Sequence, residues 1–252
     1  MSRYGAGGKY NYRDLEQFRD QGQWKTVPQY GARRWDPPLG NGVYLFIRFP
    51  GHSAEFAAQT VVLGKRCILS YRGEFVGIAR KIHNLSSGPR QEESLVMYLF
   101  ESTFGAERFF VSDGRFKQHD FPPPAGACEA WTTVKYLDTK DEEFRDFQTY
   151  MLCYTTLNGC SFHQYRDEVN QPLGALIEQY GGMPFVVQNV GVNSLRRHHI
   201  DDQTMVTLHF FKSEDDVKSL MMDARYDEIK RKQLLLAQDV TSVFTIDHDA
   251  CP

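Results

Sequence analysis

His209 is the side chain in this sequence best suited to general-base or ligand-contact chemistry. An imidazole titrates near neutral pH, so modest changes in its surroundings move it between base and acid. It lies in the run Met205-Val206-Thr207-Leu208-His209-Phe210-Phe211, and a catalytic role would require an orienting partner such as a carboxylate. Tyr154 and Arg225 complete the candidate catalytic set. Asp223, Arg225 and Tyr226 have types that suit a ligand-gripping corner, or else a buried ion pair with an aromatic plug. Arg196-Arg197-His198-His199-Ile200-Asp201-Asp202 puts two histidines near two aspartates, but adjacent residues chelate one ion poorly, and the stretch reads as a hairpin tip. Cys160-Ser161-Phe162-His163 has metal-like spacing without a second ligand pair. No metal and no cofactor is therefore expected. The Walker A, GxGxxG, GxSxG and HExxH patterns are absent.

The elements that must position these groups alternate in type. A β-branched and aromatic run at 43–49 reads as a strand, 53–69 as a helix, and 75–82 with 95–100 as a hairpin. A helix near 104–111 and a strand at 131–136 complete a first set, with Phe121-Pro122-Pro123-Pro124 forbidding helix between them. After a charged linker the order restarts: strand at 148–155, helix at 161–179 kinked at Pro172, strands at 185–187 and 206–211, a helical region from 214 to 239, and a strand at 242–246. Tyr71-Arg72-Gly73 recurs as Tyr180-Gly181-Gly182, and Asp113-Gly114-Arg115-Phe116 as Asp223-Ala224-Arg225-Tyr226, about 110 residues on. The expected fold is α+β: two tandem ferredoxin-like βαββαβ units, at 41–139 and 146–247, behind an N-terminal arm at 1–40.

The bulk figures fit that plan. The chain has 252 residues, 41% hydrophobic and 24% charged, with a formal charge of −3. Such a length holds one large or two ordinary domains, and the charge argues against wholesale binding to nucleic acid. No apolar run approaches the ~20 residues of a membrane helix, and the start lacks the apolar segment of a signal peptide. Five cysteines without a CxxC suit an intracellular, cytoplasmic protein with reduced thiols, the nucleus remaining open. The arm is poor in aliphatic residues and carries seven basic against four acidic side chains, and it reads as a flexible leader or a docking segment. Trp24, Tyr30, Arg33, Arg34 and Trp35 are its candidate partner-binding residues, with types that suit a protein groove or a single-stranded RNA.

The second unit resembles the dimeric α/β-barrel superfamily, in particular a small bacterial family of unknown function related to the antibiotic-biosynthesis monooxygenases. The residues that carry the resemblance are Leu176-Ile177-Glu178-Gln179-Tyr180-Gly181-Gly182, Phe185-Val186-Val187, the strand from Val206 to Phe211 and Arg225-Tyr226-Asp227-Glu228-Ile229. The chain departs from that family at Gln188, where an Arg is usual, and at Asp223-Ala224, where Ser-Pro is usual. The resemblance implies that the two units pair sheet to sheet as an intrachain pseudo-dimer.

Strand alternation inside such a barrel predicts Met205, Thr207, His209 and Phe211 inward, with Val96, Tyr98, Phe100, Phe46, Arg48, Leu152 and Tyr154. Val206, Leu208 and Phe210 are expected on the helix side, with Leu45, Ile47 and Phe49. Candidate pocket residues are Arg48, Tyr98, Gln188, Asp223 and Tyr226. A lumen filled by large apolar groups, with no carboxylate beside His209, leads to the expectation of a non-enzymatic protein–protein interaction module or scaffold. The alternatives are a cofactor-independent small-molecule oxygenase or isomerase using His209, Tyr154 and Arg225, and an RNA-associated factor.

Overall fold

The computed structural model describes residues 42–50, 57, 60–61, 64, 68–80, 82–85, 93–112, 128–135, 145–190, 192–196, 200 and 203–249. The arm with Trp24, Tyr30, Arg33, Arg34 and Trp35, the Asp113–Phe116 copy of the helix corner, the Phe121–Pro124 run and the His198-His199 pair lie outside them.

Among the described residues ten strands form two antiparallel sheets. The first has the order β2-β4-β1-β5-β8, from Gly73–Ala79, Glu93–Phe100, Val43–Pro50, Glu129–Val134 and Asn193–Arg196. The second has the order β3-β10-β6-β9-β7, from Ile82–Asn84, Ala237–Thr245, Thr149–Leu157, Met205–Phe211 and Met183–Val190. Each sheet takes its last strand from the other half of the chain. β3, in the first half, pairs with β10 through Phe244↔Ile82, while β8, in the second, pairs with β5 through Trp131↔Ser194. Isolated bridges Ile78↔Asp247 and Lys135↔Val187 add further stitches between the halves. This is a mixed α+β fold consistent with a ferredoxin-like dimeric α/β-barrel.

Helices cover the outer faces. In the first half Ala57, Thr60, Val61 and Gly64 are helical and buried, Ile68–Tyr71 forms a 3-10 turn, and α1 spans Thr103–Glu107 before a wider π turn at Arg108–Ser112. In the second half α2 (Phe162–Tyr165) passes through a π turn at Arg166–Asn170 into α3 (Gln171–Gln179), which has its proline in the first turn, where no N–H is missed. α4 (Glu214–Met221) and α5 (Ala224–Leu236) divide the helical region expected at 214–239, and β10 starts at Ala237, earlier than expected.

Three apolar layers follow. The middle one lies between the sheets and joins Tyr44, Phe46, Leu95, Met97 and Trp131 to Tyr150, Leu152, Val206, Leu208 and Phe210. Phe46 stacks on Trp131 at 5.5 Å, Tyr150 on Phe210 at 4.1 Å, and Trp131 meets Tyr154 edge-on at 6.5 Å. The outer layers set Leu45, Ile47, Val96, Tyr98 and Phe100 under the first half's helices, and Met151, Cys153, Met205 and Phe211 under the second's.

This arrangement corrects the expected faces of two strands. Val206, Leu208 and Phe210 point between the sheets, and the Met205, Phe211 side of β9 points to the helices. On β4 it is Leu95 and Met97 that point inward, while Val96, Tyr98 and Phe100 face the helices. β9 is buried at every position, so neither face carries a polar mark, and a one-residue change of phase reverses every side chain. The inward placement of Phe46, Leu152 and Tyr154 matches the expectation.

Candidate functional site

Arg48 interrupts an otherwise apolar strand, and a guanidinium taken out of water has to be matched by acceptors. The sheet supplies them from both neighbours of β1. Glu129 on β5 lies directly across from Arg48, and Glu93 opens β4 opposite Pro50. Arg48 holds Glu93 with two bonds, Nη2 to Oε1 at 2.6 Å and Nε to Oε2 at 3.1 Å, and donates through Nη1 to Glu129 Oε2 at 3.1 Å. Glu93 is 5% exposed, Arg48 19% and Glu129 20%. Burial works against the Arg48 charge, but the Glu93 hydrogen bond and the surrounding negative groups outweigh it and raise the pKa.

Arg48 and Glu93 line a cavity of about 60 Å3 between the sheets, with Tyr154, Asn84 and Ser242 as its other polar walls and Leu95, Leu152 and Phe244 among its apolar ones. The volume suits a few waters or the reacting end of a small ligand. Burial pushes the Tyr154 phenol far above its ordinary value, against the opposing pull of Arg48, so it stays a neutral O–H donor at physiological pH. Ser242 Oγ donates to Asn84 Oδ1 at 2.6 Å, which leaves the Asn84 amide nitrogen as a donor. Both halves build the wall: Arg48, Asn84 and Glu93 precede the linker, Tyr154 and Ser242 follow it.

The other expected residues go elsewhere. His209 is fully buried, and its Nδ1 accepts from Phe185 N at 3.1 Å, which puts the ring proton on Nε2. That Nε2 has no hydrogen-bond partner. Desolvation lowers its pKa from 6.5 to about 3, which leaves a very weak base at neutral pH. Arg225 and Asp223 form an exposed corner at the start of α5. Asp223 caps that helix, binds Arg225 Nη2 at 2.6 Å and accepts from Tyr180 Oη at 2.9 Å, while Arg225 Nη1 reaches Gln179 Oε1 at 2.8 Å. The Arg225 hydrogen bonds hold the Asp223 carboxyl far below the usual carboxylate range. This corner ties α3 to α5. Tyr226 is buried beneath Lys230, whose ammonium lies 5.8 Å from the ring. Tyr98 donates to the Thr60 carbonyl at 2.9 Å in the first half's helix layer. Gln188 lines an open pocket at the start of β7. His209, Tyr154 and Arg225 therefore do not converge on one point, and Arg48 and Tyr154 do.

Glu93, Glu129, Asn84 and Ser242 are the site residues that the sequence reading missed. The signal was present in Arg48 itself: a cation in a strand expected to be buried on both faces calls for carboxylates on the adjoining strands.

No metal-ligating group of three His, Cys, Asp or Glu side chains occurs among the described residues. A heme fits neither the inter-sheet cavity nor the pocket at β7. The inter-sheet one, at about 60 Å3, is too small for a porphyrin, and the pocket at β7 presents no His or Cys ligand. Among the described residues no helix is long and apolar enough to cross a membrane.

No family model and no curated protein sequence matches the chain. Solved structures do. An anthrone oxidase-like protein is 10% identical with a TM-score of 0.47, over 82% of this chain and 92% of that one. A chlorite dismutase variant from Candidatus Nitrospira defluvii, in complex with cyanide, is 8% identical with a TM-score of 0.49, over 83% and 92%. A heme-binding protein from Thermus thermophilus is 12% identical with a TM-score of 0.40, over 83% and 93%. Neighbours of this kind belong to the dimeric α/β-barrel superfamily. They carry enzyme and heme-binding names and none names a scaffold, so the expectation of a non-enzymatic scaffold is corrected.

Proposed function

We propose that this chain is a cofactor-independent enzyme acting on a small molecule, of the isomerase or oxygenase type, with its reaction centred on the cavity between the sheets. The observation that carries the reading is the Arg48–Glu93 ion pair, which lines that cavity together with Tyr154. Buried charges are costly and concentrate where a reaction uses them. In the shared first step Glu93, the carboxylate that lines the cavity, takes a proton from the carbon next to a substrate carbonyl. Tyr154 donates to the oxygen as it becomes an enolate, and Arg48 supplies positive charge close by. Return of the proton to a different carbon completes an isomerisation. Capture of the enolate by dioxygen would make the oxygenase variant.

The reading includes a tandem duplication, with units at 41–139 and 146–247 paired within one chain. The strand orders support it, since advancing every strand number of the first sheet by five, with wrap-around, gives the second sheet in reverse. The catalytic test is turnover of a panel of small enolisable ketones and phenols, with and without dioxygen. Glu93→Gln is expected to lower the rate by about 100-fold or more, and Tyr154→Phe by about 100-fold. Equal rates in wild type and both variants would refute the assignment.

A further inference from the structure

A pocket of about 400 Å3 opens at the start of β7, away from the inter-sheet cavity, and that volume lies in the range of small-molecule sites. Among the described residues its apolar lining is Phe147, Met183, Pro184 and Phe185, and its polar side chains are Glu178 and Gln188. A bulge shapes this end of the strand: β7 advances from Met183 to Val187 while β9 advances only from Phe210 to Leu208. Phe185 takes φ of 53° within it, a left-handed conformation that a bulky residue rarely adopts and that persists only where its neighbours impose it. Here they do. Phe185 N donates to His209 Nδ1 at 3.1 Å, and the Phe185 ring packs against Gly174 of α3, where a Cβ would come within 2.8 Å of it. Phe147 is braced by Phe210, with ring centroids 6.0 Å apart. Bulges re-aim side chains beside binding sites, and walls already held in place spare a ligand the cost of ordering them.

Charge decides what such a pocket receives. Glu178 is the charged side chain of the described lining; it is exposed, and among the described residues no hydrogen bond or ion pair engages it. It stands in the last turn of α3, where the helix dipole already presents its negative end. A carboxylate gains nothing from its own helix at that position, and it deepens the negative field at the pocket. Arg225, which reaches the neighbouring Gln179, is held by Asp223 and does not line the pocket.

We propose that the β7 pocket binds a small organic cation, an ammonium group on an apolar body, with the ammonium at Glu178 and the body against Phe147, Met183 and Phe185. An anion is repelled by the carboxylate and the helix end together, and a neutral molecule leaves both unmatched. The site does not use the inter-sheet cavity, so either assignment stands or falls without the other.

The test is NMR of methyl-labelled methionines in the full chain, with the Met183 methyl identified by its loss in Met183→Leu. Three probes share a phenyl body and differ in charge: 2-phenylethylamine, 2-phenylethanol and phenylacetate. The amine is expected to move the Met183 methyl saturably, the alcohol to bind about threefold more weakly, as suits an exposed ion pair, and phenylacetate to bind more weakly again. Added salt is expected to narrow the gap between amine and alcohol. Glu178 is exposed, so Glu178→Gln keeps the fold and is expected to bring the amine down to the affinity of the alcohol. Absence of a Met183 shift with the amine would overturn the proposal. So would an amine bound no more tightly than the alcohol, or a preference for the amine that survives in Glu178→Gln.

Discussion

At the scale of single residues, Arg48 decides how the site is built. Its two carboxylate partners make the cost of removing it asymmetric, because Glu93 at 5% exposure would be left as a buried charge with no guanidinium. Arg48→Met is expected to destabilise the protein by about 3 kcal/mol, read as a lower denaturant midpoint. Adding Glu93→Gln should recover part of that loss, since the second change removes the stranded charge. His209 governs acid behaviour instead. Its pKa falls from 6.5 to about 3 on folding, so the unfolded chain binds the proton first as pH drops. The stability that depends on a neutral His209 is complete above pH 6.5 and is lost between there and about pH 3. His209→Gln is expected to flatten that part of the stability profile measured by chemical denaturation. An unchanged acid slope would show that other groups set it. Arg48 and Tyr154 were legible as inward residues from the alternation of β1 and β6, whereas His209 was placed on the wrong face. The difference lies in the strands: Arg48 marks one face of β1 as special, and β9 has no such mark.

At the scale of elements, the helix starts were the best signposted parts of the chain. Ser213-Glu214-Asp215-Asp216 forms a reciprocal cap in which Ser213 Oγ accepts from Asp216 N at 3.3 Å and Asp216 Oδ2 accepts from Ser213 N at 3.0 Å. Three acidic side chains in that first turn add a favourable interaction with the helix dipole. Ser213→Ala is expected to cost about 1 kcal/mol in thermal or denaturant unfolding, with no effect on the inter-sheet site. Strand ends were less legible. β3 and β8 have three and four residues, and such short runs carry too little periodicity to show that each leaves its own half for the opposite sheet. The bulge at Phe185 escaped notice for a related reason: a positive φ at an aromatic residue is imposed by its neighbours, and the residue type does not announce it.

At the scale of the whole molecule, the strand exchange makes the halves mutually dependent. Without its partner, the first half would lose β8 from the edge of β5 and expose the inner faces of Phe46, Met97 and Trp131. Residues 41–139 and 146–247 are therefore expected to stay unfolded or aggregate when produced separately, and to combine one to one when produced together. A monomeric half with its own cooperative melt would contradict this. The same exchange explains how the site is assembled, with Asn84 carried to Ser242 on β3 while Arg48 and Glu129 remain on the first sheet. The spaced sequence matches led to the expectation of two similar units. The meeting of their side chains in one cavity was not legible, because it depends on how the sheets face each other.

Proton abstraction in that cavity is the central claim, and solvent-deuterium exchange measures it without requiring the final product. Small enolisable ketones would be incubated with the protein in deuterium oxide without dioxygen, and loss of the α-proton signal followed by NMR. The account predicts enzyme-dependent exchange for at least one ketone, reduced about 100-fold or more in Glu93→Gln. Exchange no faster than in buffer across the panel, or undiminished in Glu93→Gln, would contradict it.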